Sequence, residues 1–95
     1  MRSLALLLAL VSAPGFAAAP HYSAQPAQVQ GDSKFVLRGT VWRCTGQSCV
    51  GGQGSSRPEI ACKLLVRKVG ALRSFSSGGA EFTADKLQEC NGEAR

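Results

Sequence analysis

Four cysteines downstream of a removable leader constrain this chain more than any other feature. Met1 and Arg2 open a short positive region, residues 4–11 form an unbroken apolar run, and Pro14-Gly15 interrupts it ahead of small residues at 17–19. That is the pattern of a secretory signal peptide, expected over residues 1–17 with the cut between 17 and 19. The run is too short for a bilayer span, which takes about twenty residues, so no transmembrane anchor is expected. No cysteine lies near the cut and no twin-arginine pair precedes it, which argues against lipid attachment and against export in the folded state. The expected location is the periplasm or the exterior, where Cys44, Cys49, Cys62 and Cys90 meet oxidising conditions.

Size makes those thiols matter. After processing, about 76–78 residues remain, enough for one small domain. A core of that size rarely contributes more than about 3–5 kcal/mol, so covalent crosslinks carry weight. The spacing C-x4-C-x12-C-x27-C allows three pairings that sequence alone does not separate. The preferred one joins Cys44 to Cys49 and Cys62 to Cys90, with the swapped pairings and a four-thiolate zinc site as alternatives. Zinc sites are usually recognised by C-x2-C halves, which are missing, and no metal is expected. A thiol-redox role would want C-x-x-C.

Residues 18–33 are rich in Ala, Gln, Pro and Ser without apolar periodicity, and read as a flexible arm before a domain at 34–92 and a tail at 93–95. Residues 34–43 (KFVLRGTVWR) are dense in β-branched and aromatic residues and predict one strand with a bulge at Gly39. Residues 44–54 hold four glycines but lack the signatures of nucleotide-binding loops, and read as a tight or flexible loop. Ser56-Arg57-Pro58-Glu59 fits a capping box, with Ser56 as N-cap. Ile60, Ala61, Leu64, Leu65 and Val69 then repeat at helical spacing up to Gly70. Residues 72–76 and 80–83 predict a hairpin about Ser77-Gly78-Gly79, and Thr83 caps a short helix ending at Asn91-Gly92. The order strand, helix, β-hairpin, short helix is an α+β class.

Several chemistries are disfavoured by what the chain lacks. His21 is the sole histidine and lies in the expected arm, which leaves no Ser/His or Cys/His couple for the folded part. Glu59, Glu81, Asp85, Glu89 and Glu93 read as solvated carboxylates beside Lys and Arg. Trp42 is expected to pack against the disulfide core. No enzyme activity, no catalytic residue and no cofactor is expected. The full chain carries a net charge of +5, and about +4 remains once Arg2 leaves with the leader. Arg43, Arg57, Lys63, Arg67, Lys68 and Arg73 form the candidate binding surface, directed at an anionic envelope component or a protein partner. Nucleic acid is not expected, because exposed aromatics do not interleave with the basic residues. The leading expectation is therefore an exported binding module, with a secreted inhibitor of a hydrolase as the alternative.

The segments V-W-R-C-T-G-Q-S-C, S-R-P-E-I-A-C-K-L-L-V-R-K-V-G-A-L-R-S-F and L-Q-E-C-N resemble a group of small exported alphaproteobacterial proteins of unknown function. The shared marks are W-x-C, S-R-P-x3-C, V-G-x-L-x-S-F and a terminal C-N, carried by Trp42, Cys44, Cys49, Arg57, Pro58, Cys62, Gly70, Phe75, Cys90 and Asn91. The resemblance implies that all four cysteines belong to the domain's framework. It implies no activity. Mass spectrometry of the exported protein with and without reduction is expected to show a cut at 17–19 and no free thiol; four free thiols would overturn the crosslinked reading.

Overall fold

The computed structural model describes residues 20–94. The expected leader and its cut lie outside the described residues. Six antiparallel strands form one sheet: β1 (Tyr22–Pro26), β2 (Gln30–Leu37), β3 (Thr40–Gly46), β4 (Ser48–Gly51), β5 (Leu72–Ser77) and β6 (Ala80–Glu81). Their spatial order is β2-β3-β4-β1-β5-β6. Two helices, α1 (Pro58–Val69) and α2 (Ala84–Asn91), complete an α+β domain.

The arm expected at 18–33 is a correction. Tyr22–Pro26 is an inner strand between β4 and β5, and the folded domain begins there rather than at residue 34. Tyr22, Ala24 and Pro26 alternate inward with Ser23 and Gln25 outward, a period-two pattern hidden by weak strand formers. The single strand expected at 34–43 is also corrected, because Arg38-Gly39 is a two-residue hairpin turn. Both residues have positive φ, 50° and 83°, the primed geometry that matches strand twist. Glycine takes that conformation freely; Arg38 takes it at a cost. The turn resets the alternation, so Val41 shares the outer face with Val36, while Phe35 and Leu37 face inward with Trp42 and Thr40. Residues 44–54 contribute a third correction: much of the expected loop is strand, with Gly46-Gln47 turning β3 directly into β4.

Helix α1 starts one residue later than the capping box predicts. Pro58, which has no N–H to leave unsatisfied, takes the first helical position, and Arg57 becomes the N-cap without a side-chain bond. Glu59 is then too early to reach back. The buried stripe is Ala61, Cys62, Leu65, Val66 and Val69, rotated toward Cys62 relative to the expected face, with Ile60 and Leu64 half-buried. Helix α2 follows expectation, Thr83 Oγ1 accepting from Lys86 N–H at 3.2 Å.

All the packing is on one sheet face. Tyr22, Ala24, Trp42, Cys44, Cys49, Leu72 and Phe75 point toward α1 and form one cluster with it. A register row runs Phe35–Trp42–Gly51–Tyr22–Ser77 across five strands. Trp42 and Tyr22 stack across it with ring centroids 5.6 Å apart, Phe75 tilted against both. Gly51 lies between them because Trp42 leans over its Cα. Burial raises the Tyr22 phenol above its ordinary pKa, and its hydroxyl donates to the Ser56 carbonyl at 3.3 Å.

Both disulfides have the preferred pairing. Cys44–Cys49 spans directly opposed residues of β3 and β4, and Cys62–Cys90 ties α1 to α2. Beside the second, Asn91 donates to the Leu72 carbonyl and accepts its N–H, each at 2.9 Å, pairing with β5 as a strand residue would. The tail expected at 93–95 is partly packed: Arg67 donates to Glu93 at 2.8 Å and Ala94 meets the core. A Cβ on Gly51 would sit 2.8 Å from the Trp42 ring. Gly51→Ala is therefore expected to cost about 1–3 kcal/mol in urea unfolding; an unchanged midpoint would refute the stacked arrangement.

Candidate functional site

The helices leave the opposite sheet face open, and its residues line up in register. One row runs Lys34–Arg43–Val50–Ser23–Ser76–Glu81, a single residue from each of the six strands. The middle of the row is small, and Ser23, Gln25, Ser48, Val50, Ser74, Ser76 and Glu81 line a shallow depression of about 350 Å³. The charges sit at its ends. Lys34 and Arg43 are directly opposed like charges, an arrangement that disfavours an antiparallel pair by about 0.2–1 kcal/mol. Among the described residues neither has an ion-pair partner. Asp32 on the same hairpin borders the same hollow as Lys34 and Arg43 and accepts a hydrogen bond from Thr45 Oγ1; it offsets part of their charge without pairing with either. Glu81 is four strands from Arg43, about 19 Å at the usual strand spacing. That is beyond the screening length of about 8 Å at physiological salt, so Glu81 does not neutralise the pair.

A second opposed pair adjoins the first on the same face. Val36 and Val41 stand 61% and 47% exposed, the largest apolar exposure within the sheet. The outer face of the β2–β3 hairpin therefore presents two cations beside two valines, with Arg38 in the turn. Polar attraction and apolar contact are available side by side.

The six basic residues expected from sequence do not form one surface. Arg43 is on this open face. Lys68 is on the other side, its Nζ 5.2 Å from the centre of the Phe35 ring. Arg67 is occupied by Glu93, and Arg57 lies at the opposite end of α1. Lys63 borders Phe82, Glu89 and Cys90 between the helices, and Arg73 is exposed on β5 near its irregular register with β1. Lys34, Arg38, Val36 and Val41 were missed as a group. The Arg-Gly turn was the available signal, since folding the segment at that point puts Lys34 opposite Arg43.

The histidine is also closer to the folded part than expected. His21 precedes β1, and its Nε2 lies 3.4 Å from Ser77 Oγ, long for a hydrogen bond to a hydroxyl. Among the described residues no carboxylate bonds to the ring. The couple therefore lacks the third group that orients a catalytic base. A group of three or more metal-ligating side chains is likewise not found among the described residues, and none of their helices is long and apolar enough to cross a membrane.

Fold and face together define a small disulfide-crosslinked α+β domain with one sheet face covered and the other presenting a basic, partly apolar hairpin. The chain belongs to a family of unknown function, DUF8200, matched over residues 6–92. No curated protein and no solved structure matches it.

Where α1 and α2 begin, Glu59 pairs with Lys86 at 3.3 Å. Its carboxyl is held below the ordinary value of 4.5, first by its own backbone N–H and then by Lys86. A depressed carboxyl stabilises the fold above its unfolded pKa, and that contribution disappears as pH falls through the folded value. Glu59→Gln is expected to melt below the wild type at neutral pH, with the gap closing under acid; a gap that widens toward low pH would contradict this.

Proposed function

We propose that this protein is an exported, non-catalytic binding module that receives an anionic partner on the open face of the β2–β3 hairpin. The opposed Lys34 and Arg43 carry the reading. A like-charge pair placed in register, with only Asp32 nearby to offset part of its charge, costs stability in the free protein and is relieved when an anionic group docks. Val36 and Val41 beside it supply contact area that a purely ionic surface would lack. The leader-like N-terminal pattern, the two disulfides and the resemblance to small exported proteins support location outside the cytoplasm. His21 and Ser77, without an orienting acid, support a binding role over a catalytic one.

Stability and binding should move in opposite directions at one residue. Lys34→Glu converts the opposed pair into an attractive one and is expected to raise the melting temperature slightly. The same change should weaken binding of labelled polyglutamate to the processed protein by about tenfold or more, the size of one matched charge contact. Wild-type binding should also weaken with added salt. Salt-independent binding, or equal affinity of wild type and variant, would refute the reading.

A further inference from the structure

We propose that β2 is a docking edge for an extended acidic segment of a protein partner, which joins the sheet as a seventh strand. The proposal rests on the anionic-partner reading above and names the partner's form. The two sheet edges differ sharply. At one, β6 has two residues and passes into α2 through the Thr83 cap. At the other, β2 has eight residues, the most of any strand, and its outer side has no neighbour among the described residues. Such an edge presents a row of backbone donors and acceptors ready for pairing.

The edge is held in place from inside the domain. Gln30 Nε2 donates to the Val69 carbonyl at the end of α1, and Lys68 covers the inner-facing Phe35 ring. An incoming strand would therefore meet a prepared template, with little ordering cost on this side.

The register rows specify what that strand must carry. Its residue opposite Lys34 falls on the outer face, about 5 Å from Lys34 and one strand further from Arg43. A carboxylate there pairs with Lys34, and Arg43, two strands away at about 10 Å, adds attraction only through the reach of its long side chain. The residue opposite Phe35 faces inward beside that half-buried ring, and the one opposite Val36 lies outward beside Val36 and Val41; both positions favour apolar side chains. For a strand that adds antiparallel, as every pair in this sheet does, the recognised pattern from N to C terminus is apolar, apolar, acidic in consecutive positions. A lysine in an edge strand ordinarily discourages indiscriminate pairing. In this row it selects by charge, repelling basic strands, standing unanswered beside neutral ones and accepting acidic ones.

A second copy of the chain suits the edge less well. The pairing of β2 with β3 is irregular between Gln30 and Ser33, so the regular part of β2 begins at Ser33. Antiparallel self-pairings centred on Lys34 or Phe35 put Lys34 opposite Lys34 or opposite Val36; one centred on Ser33 would set it opposite Asp32 but must run through the irregular stretch. The first adds repulsion and the second leaves the charge unanswered.

The test uses the processed full-length protein and a fluorescein-labelled Thr/Val peptide of about eight residues containing Val-Val-Glu, the order an antiparallel strand requires. The controls are the same peptide with Lys in place of Glu, the Glu peptide N-methylated at alternate residues, and phosphatidylglycerol vesicles. The Glu peptide is expected to bind at least about tenfold more tightly than the Lys peptide, and Lys34→Glu should reverse that preference. N-methylation should abolish binding, and amide exchange should slow in β2. Equal binding of the N-methylated peptide would overturn strand addition while leaving the anionic-partner reading standing. Protection of β2 by vesicles or by self-association in place of the peptide would also overturn it. If neither the peptide nor polyglutamate binds, both readings fail.

Discussion

The Cys62–Cys90 crosslink lets a helix with almost nothing to bury complete the domain's covering layer. Among the residues of α2 only Cys90 is fully buried, with Leu87 half-covered, so apolar contact alone would hold this helix weakly. The disulfide fixes it to α1, and Asn91 joins both backbone groups of Leu72 on β5. Closing a loop of 29 residues contributes about 3.6 kcal/mol on a chain-entropy view, against about 2 kcal/mol for the short Cys44–Cys49 loop. The long-range link therefore carries the architecture, while the short one reinforces a hairpin whose strands already pair.

Building the domain as two layers has a direct consequence for the other side of the sheet. Every bulky apolar residue of the strands that can turn inward does so, with Trp42, Tyr22 and Phe75 forming the centre. What remains outside is small and hydroxylated in the middle, charged at the ends, and apolar only at Val36, Val41 and part of Val50. A sheet packed on one face ordinarily shows polar residues on the other. The exposed valines depart from that pattern, and the opposed cations depart from favourable cross-strand pairing, on one hairpin. Departures from local consistency that no compensation explains are where function is expected.

Some of this was legible in the residues themselves. Helix α1 announced itself through apolar spacing and a glycine stop, α2 through Thr83 and Asn91-Gly92, and the β5–β6 hairpin through Gly78-Gly79. Those signals are local, set by capping and turn chemistry within a few residues. Strand β1 was not legible, because Tyr-Ser-Ala-Gln-Pro has little strand preference and becomes a strand through β4 and β5 on either side. The Arg38-Gly39 turn was missed for a related reason: an arginine at positive φ runs against propensity and is held by the strands it joins. The candidate site inherited both misses, since it depends on which residues the hairpin sets opposite one another.

By itself, then, the sequence determined the export-like pattern, the four-cysteine framework, the two helices and the α+β class, because each follows from composition or short-range spacing. Tertiary structure decided which surface is free and what it presents. Lys34 meets Arg43, and Tyr22 meets Trp42 over Gly51, only when strands distant in the chain are brought into register. Register is a property of paired strands, and no single segment contains it.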